Sequence, residues 1–207
     1  MRYLLIPIIC LLFQNNSNAQ FSKLKNLENG GLFSLGMRST ISAFGHEDKA
    51  GLGVGGQFRL QFHPKVNTEW FLDYIKTSMT QGAERTDVHI GWSVMYYPLR
   101  ETGHTKLLKP YLAIGHCFDR SAINVLDYPE LSASRWSAAV QGGAGCHLNL
   151  TEKFDITFLT QYMLHLGNEL TVDFDEHNDE ITDHRHATPE GHLLFTLGVN
   201  YKLAELW

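Results

Sequence analysis

Residues Leu52-Gly53-Val54-Gly55-Gly56-Gln57-Phe58-Arg59-Leu60-Gln61-Phe62 carry the reading that decides the fold. Leu52, Val54, Phe58, Leu60 and Phe62 fall on one face, and Gly53, Gly55, Gln57, Arg59 and Gln61 on the other. That period of two belongs to a β-strand, whose side chains alternate between the faces of a sheet.

The same period continues on both sides. Upstream, Phe33, Leu35, Met37 and Ile41 oppose Ser34, Gly36, Arg38, Thr40 and Ser42, followed by the polar tip His46-Glu47-Asp48-Lys49. Downstream, after a turn at His63-Pro64-Lys65-Val66, Trp70, Leu72 and Tyr74 alternate with Glu69, Phe71 and Asp73. Beyond Gln81-Gly82, Val88, Ile90, Trp92, Val94 and Tyr96 alternate with Asp87, His89, Gly91, Ser93 and Met95. Pro110 to Phe118 reads as a fifth strand. Trp136, Ala138, Val140, Ala144 and Leu148 oppose Ser137, Gln141 and His147. Phe154, Ile156, Phe158, Tyr162 and Leu164 oppose Asp155, Thr157 and Gln161. Finally Leu193, Phe195, Leu197, Val199, Tyr201 and Leu203 oppose Leu194, Thr196, Gly198, Asn200 and Lys202. No stretch shows a helical period.

Eight such strands, each of about 9 to 13 residues, match the tilted crossing of a bilayer. Connections 63–66 and 149–153 read as tight and 119–134 and 167–191 as long, the asymmetry of outer-membrane barrels. The minority face carries Arg38, Arg59, Glu69, Asp73 and Asp155. A sandwich needs a dry core there, whereas a membrane barrel turns that face into a polar lumen. The expectation is an all-β, eight-stranded, antiparallel up-and-down transmembrane barrel. With strand one running outward, Phe62, Trp70, Tyr96, Tyr111, Phe154 and Tyr201 form an aromatic girdle at the periplasmic interface, and Trp136 belongs to the opposite one.

Composition is compatible with this and excludes other classes. The chain has 207 residues, 43% hydrophobic and 19% charged, with a net charge of −5. Several runs of about 20 apolar residues would mark a helical membrane bundle, and none occurs. Aromatic residues make up 12%, against low-complexity disorder. With no basic patch and no glycine-rich phosphate loop after a strand, a nucleic-acid partner is not expected.

Met1-Arg2, the apolar run Tyr3–Phe13 and the small residues Ser17 and Ala19 read as a signal peptide over 1–19, cleaved before Gln20. Residues 20–29 are then a periplasmic N-terminal segment, and 30–207 the barrel as the whole mature protein. Only Cys117 and Cys146 remain after cleavage, too few for a disulfide scaffold. Setting Pro110 opposite Asn149 puts Cys117 against Gly142, four residues short of Cys146. That is about 13 Å at 3.3 Å per residue, beyond disulfide reach, so two free thiols are expected.

Leu108-Lys-Pro-Tyr-Leu-Ala-Ile-Gly115, Gln141-Gly-Gly-Ala-Gly145 and Phe195-Thr-Leu-Gly-Val-Asn-Tyr-Lys-Leu203 resemble the outer-membrane β-barrel domain proteins common in Bacteroidota, the OmpA-like or porin-like small barrels. The likeness covers roughly residues 30 to 207 and implies a cell outer-membrane location. The C-terminus resembles the signal read by the barrel-assembly machinery: Trp207 is aromatic, and Leu203, Tyr201, Val199 and Leu197 share its parity, with Glu205 interrupting the apolar series.

Eight strands leave a bore that side chains fill. Arg38, Gln57, Arg59, Glu69, Asp73, His89, Gln141, Asp155 and Gln161 are expected to occupy it, with Arg38 and Arg59 paired to Glu69 and Asp73. A structural plug and a gated narrow pore both remain open. His165, with Asn168 beyond it, loosely resembles the histidine strand of lipid A deacylases. The serine those enzymes place beside the histidine is absent, since Leu166 and Gly167 follow. Glu101-Thr-Gly-His104 belongs to a periplasmic turn without a catalytic partner. The functional expectation is a non-enzymatic structural or interaction barrel, alone or as an accessory subunit of a larger outer-membrane complex, binding through external loops. The alternative is a lipid-modifying hydrolase or a transport barrel. Expected partners are outer-membrane lipid, the assembly machinery during insertion, and another outer-membrane protein.

The last external loop, Asn168 to His192, holds eight carboxylates against Arg185 alone, together with His177, His184, His186 and His192. His184 and His186 share parity. With His177 and Asp183 they form a candidate site for a divalent cation. No other cofactor is expected, and a solvated polar loop explains the same composition.

Overall fold

Alternation of apolar and polar residues produces eight strands in this computed structural model, which describes residues 30–44, 50–79, 83–99, 107–125, 132–166 and 191–207. They are β1 (Leu32–Phe44), β2 (Gly51–His63), β3 (Val66–Ser78), β4 (Ala83–Tyr96), β5 (Leu108–Val125), β6 (Ser132–Asn149), β7 (Phe154–Leu166) and β8 (Gly191–Glu205). Each pairs antiparallel with its sequence neighbours, and β1 pairs with β8, for example Leu35 with Tyr201 and Ile41 with Phe195. Closure leaves no free sheet edge, which is what a strand protein needs in hydrocarbon, where an unpaired backbone group finds no water.

The two faces of the wall follow the sequence pattern. Leu35, Met37, Val54, Phe58, Leu72, Ile90, Ile114, Phe158 and Leu197 point outward and are exposed, while the polar partners of the alternation are buried inside. Two of the outward hydroxyls are hydrogen-bonded to the wall itself. Ser39 Oγ donates to Gly53 O at 3.0 Å and Thr68 Oγ1 to Leu60 O at 3.3 Å. An exterior of this kind is solvated only by lipid, and a closed antiparallel barrel with an apolar band and a polar interior belongs in the outer membrane.

The strands are longer than expected, 13 to 18 residues. The excess lies in β5 and β6, each 18 residues long, so the span 119–134 is not one loop: Asp119–Val125 and Ser132–Ser134 are strand. Above the apolar band the alternation keeps its period but exchanges its sign. Arg120, Asn124, Ser132 and Ser134 point out, while Ile123 and Val125 are buried inside and Ile123 packs with Ala83, Met79 and Ala133. The apolar-outward pattern therefore ends there although the strand continues.

Connection lengths alternate less cleanly than the sequence suggests. Pro64-Lys65 and 150–153 are tight, but 97–107 at the same rim is not, and 79–82 at the other rim is short. The longest connection, 167–190, joins β7 to β8 at the rim opposite the one where β1 begins and β8 ends, which assigns that latter rim to the periplasm.

At that rim Gly30 and Gly31 adopt φ of +91° and +86°, a left-handed region open to glycine. A Cβ on Gly31 would sit 2.7 Å from Trp207 O. The tight approach lets Gly31 N donate to Gln61 O (2.6 Å) and Gly31 O accept from Leu206 N (2.9 Å), tying the barrel entrance to β2 and to the C-terminus.

Candidate functional site

The inward side chains are the chemically rich part of the chain, and they form three zones. In the middle, Arg38 on β1 places Nη1 3.2 Å from Glu69 Oε1 and Nε 3.1 Å from Asp73 Oδ1, both on β3. Arg59 on β2 places Nη2 2.6 Å from Asp155 Oδ1 on β7 and Nε 3.8 Å from Glu69. So Asp155 takes the short contact with Arg59, where the sequence pointed to Glu69 and Asp73. The reason is the curvature of a small barrel, which brings β7 across the bore to β2. Gln57 donates to Asn200 at 2.6 Å and Asn200 donates to Asp155 at 3.0 Å, while Gln161 and Gln141 extend the net to Ser93. Arg38 also stacks on the Phe71 ring at 4.5 Å. The Arg38, Glu69 and Asp73 side chains are 0–2% exposed. The five charges of this zone, Arg38, Arg59, Glu69, Asp73 and Asp155, are removed from water and hold together because each is met by opposite charge.

Toward the periplasm the bore is filled by rings. Tyr111 is buried, not part of the outer aromatic girdle, and stacks on His147 at 4.5 Å between centroids. Its β6 partner is Gly145, where a Cβ would stand 2.4 Å from the tyrosine ring. The missing side chain is what admits the ring. Tyr97 Oη lies 2.9 Å from His147 Nε2, and Arg59 reaches the same imidazole. Phe62, Trp70, Tyr96 and Phe154 are exposed on the outer wall and Tyr201 is half-buried, so the remainder of the expected girdle faces lipid; Trp136 is exposed toward the other rim.

Toward the outside, an apolar layer of Cys117, Ala139, Met163 and Leu194 comes first. One inward position further out on the same four strands stand Asp119, Ser137, His165 and His192. His192 was assigned by sequence to the acidic loop. It is instead on β8, buried, with Nδ1 3.0 Å from Ser42 Oγ and Nε2 3.3 Å from His165 Nε2. Asp119 Oδ2 is 3.1 Å from His165 Nδ1, and its Oδ1 is 3.3 Å from His89 Nε2. Sequence reasoning missed this cluster because its members come from β4, β5, β7 and β8 and share no local spacing. Their common parity on outward-running and inward-running strands was the one available signal.

Ser137 Oγ and Asp119 both approach Nδ1 of His165. A serine-histidine-acid triad needs them on opposite ring nitrogens, and Ser137 stands half-buried on the inner face of the wall. Glu101 and His104 lie outside the described residues, as do the metal candidates His177, Asp183, His184 and His186.

Cys117 and Cys146 are free thiols. The register behind that expectation is corrected: Pro110 pairs with Cys146, not Asn149, and Cys117 with Ala139. The cysteines are therefore further apart than calculated, and on opposite faces of the wall.

No protein-family profile and no curated protein matches the sequence. Solved structures do resemble the fold. Neisserial surface protein A is 12% identical, with 83% of this chain and 96% of that chain covered and a TM-score of 0.54. The outer membrane protein OprG from Pseudomonas aeruginosa is 14% identical, covering 85% and 97%, with a TM-score of 0.52. Ail, the attachment invasion locus protein of Yersinia pestis, is 13% identical, covering 85% and 99%, with a TM-score of 0.50. The chain thus has the fold of the small eight-stranded outer-membrane barrels.

Proposed function

For a barrel of this class whose bore is occupied by its own side chains, we propose a structural or interaction role in the outer membrane, exercised through the external loops and not through the lumen. The carrying observation is the central charge zone: Arg38, Glu69 and Asp73 are 0–2% exposed, so no water-sized space adjoins them. A pore needs a continuous hydrated path, and a hydrolase needs a cleft open to substrate. What is left for recognition is the outer rim, where β5 and β6 rise above the apolar band and the acidic segment 168–190 begins. The Yersinia barrel of the same fold is named an attachment invasion locus protein, and attachment is a surface role of the class proposed. An accessory-subunit arrangement, in which another outer-membrane protein holds the rim, is the specific form we favour.

Two measurements test this together. Purified protein in planar bilayers is expected to give no stepped conductance, and mild-detergent purification from native membranes a stoichiometric protein partner. Stable conductance steps overturn the closed-bore reading. A partner-free protein that alters lipid A mass spectra overturns the interaction reading in favour of the hydrolase.

A further inference from the structure

The outer histidine cluster carries chemistry that the proposed role does not use. His165 Nε2 and His192 Nε2 face each other at 3.3 Å inside the bore. Two nitrogens bound to one tetrahedral ion at about 2.05 Å each stand about 3.3 Å apart. Their ring centroids are 4.9 Å apart, near the spacing of about 5 Å that the same bond lengths impose on two imidazoles sharing an ion.

The far side of each ring is also arranged. His165 Nδ1 lies against the Asp119 carboxylate at 3.1 Å, and a carboxylate there requires the proton on Nδ1. Nε2 is then the bare lone pair, the tautomer a ligand needs. His192 Nδ1 meets Ser42 Oγ at 3.0 Å. A metal-bound histidine is typically held by such an oxygen acceptor on its other nitrogen. His89, the third ring, has its centroid 5.7 Å from His192 and 6.3 Å from His165. Neither ring nitrogen has a hydrogen-bond partner: Nδ1 is buried, and Nε2 lies 3.3 Å from the second oxygen of Asp119 without hydrogen-bond geometry. Among the described residues no three side chains already converge at ligand distance, so His89 would have to move toward the pair to complete the set.

We propose that the outer end of the bore is a zinc site, with His165 Nε2 and His192 Nε2 as ligands, His89 Nδ1 recruited as the third, and Asp119 orienting two of the rings. All four side chains come from different strands, β4, β5, β7 and β8. A bound ion would therefore clamp half the circumference of the barrel just beneath the external loops. The competing arrangement is a hydrogen bond between the two imidazoles with no metal, and the other candidate location is the loop set His177, His184 and His186.

The test is calorimetric titration of the folded, detergent-solubilised barrel with zinc chloride alone, with cobalt chloride as a spectroscopic substitute. The wild-type protein is expected to bind one zinc per chain and to give the intense visible bands of four-coordinate cobalt. Asp119→Asn is expected to weaken binding about 10–100-fold, the range for loss of an orienting group, and H165Q/H192Q to abolish it. The loop variant H177A/H184A/H186A is expected to bind as the wild type does. That variant leaves the bore intact, so its result counts even where H165Q/H192Q fails to show strand content by circular dichroism. No zinc uptake by the wild type, or loss of binding in the loop variant, overturns the site.

Discussion

Arg38 Nη1 and Nε each face a different carboxylate, so deleting the guanidinium strands two buried charges at once. Removing one partner of a buried ionic group costs about 3–5 kcal/mol because the remaining charge is uncompensated. R38A is therefore expected to lower the unfolding free energy in urea by about that amount. R38M/E69L/D73L, which removes all three charges and keeps the volume apolar, is expected to recover most of it. Equal loss in the single and triple variants would show that these charges are not a mutually compensated unit. The presence of these charges inside the wall was legible from parity alone, since Arg38, Arg59, Glu69, Asp73 and Asp155 all oppose apolar residues. The identity of each pair was not, because Asp155 meets Arg59 across the bore, 96 residues away in the chain.

At the scale of elements, the β5–β6 hairpin is where reading and structure part most. Pairing Pro110 with Cys146 shifts the ladder by three residues from the sequence reading, and an odd shift changes which side chains stand opposite each other along the whole hairpin. Directly opposed residues in an antiparallel pair have Cα atoms about 4.5–5.5 Å apart, inside the window for a disulfide. Pro110→Cys is expected to form a disulfide with Cys146 under mild oxidation, leaving Cys117 as the single titratable thiol of the barrel strands. Formation with N149C in a C146A background, and not with Cys146, would restore the other register. The tight connection 150–153 offered a firm anchor for β7, where Thr151 Oγ1 accepts from Phe154 N at 3.0 Å. No such anchor existed at the other end of β6, because the strand runs on past the apolar band with its pattern reversed.

For the whole molecule, the decisive quantity is the depth-dependent cost of placing charge on the outer wall. Met37 is 75% exposed at the middle of β1, flanked by Leu35 and Ile41 on the same face. An arginine at the bilayer midplane costs about 2–4 kcal/mol, falling to about 0–1 near the interfaces. M37R is expected to lower stability in lipid vesicles by the larger amount, and N124R, outward on the extension of β5, by the smaller. Equal effects would remove the assignment of the apolar band to the membrane core. The filled bore belongs to the same scale, because eight strands close to a diameter that inward side chains occupy.

What the chain alone determined is the local and periodic part: eight strands, their two faces, the polar interior and the apolar exterior. Those follow from a period of two that every strand carries within itself, and from the rule that a closed wall in lipid must be apolar outside. Only the tertiary structure decided the register of β5 against β6, the inward turn of Tyr111 onto His147, and the meeting of His89, His165 and His192 around Asp119. Each of these depends on stagger between strands and on distance across the bore, and neither is written in the spacing of residues along any one strand.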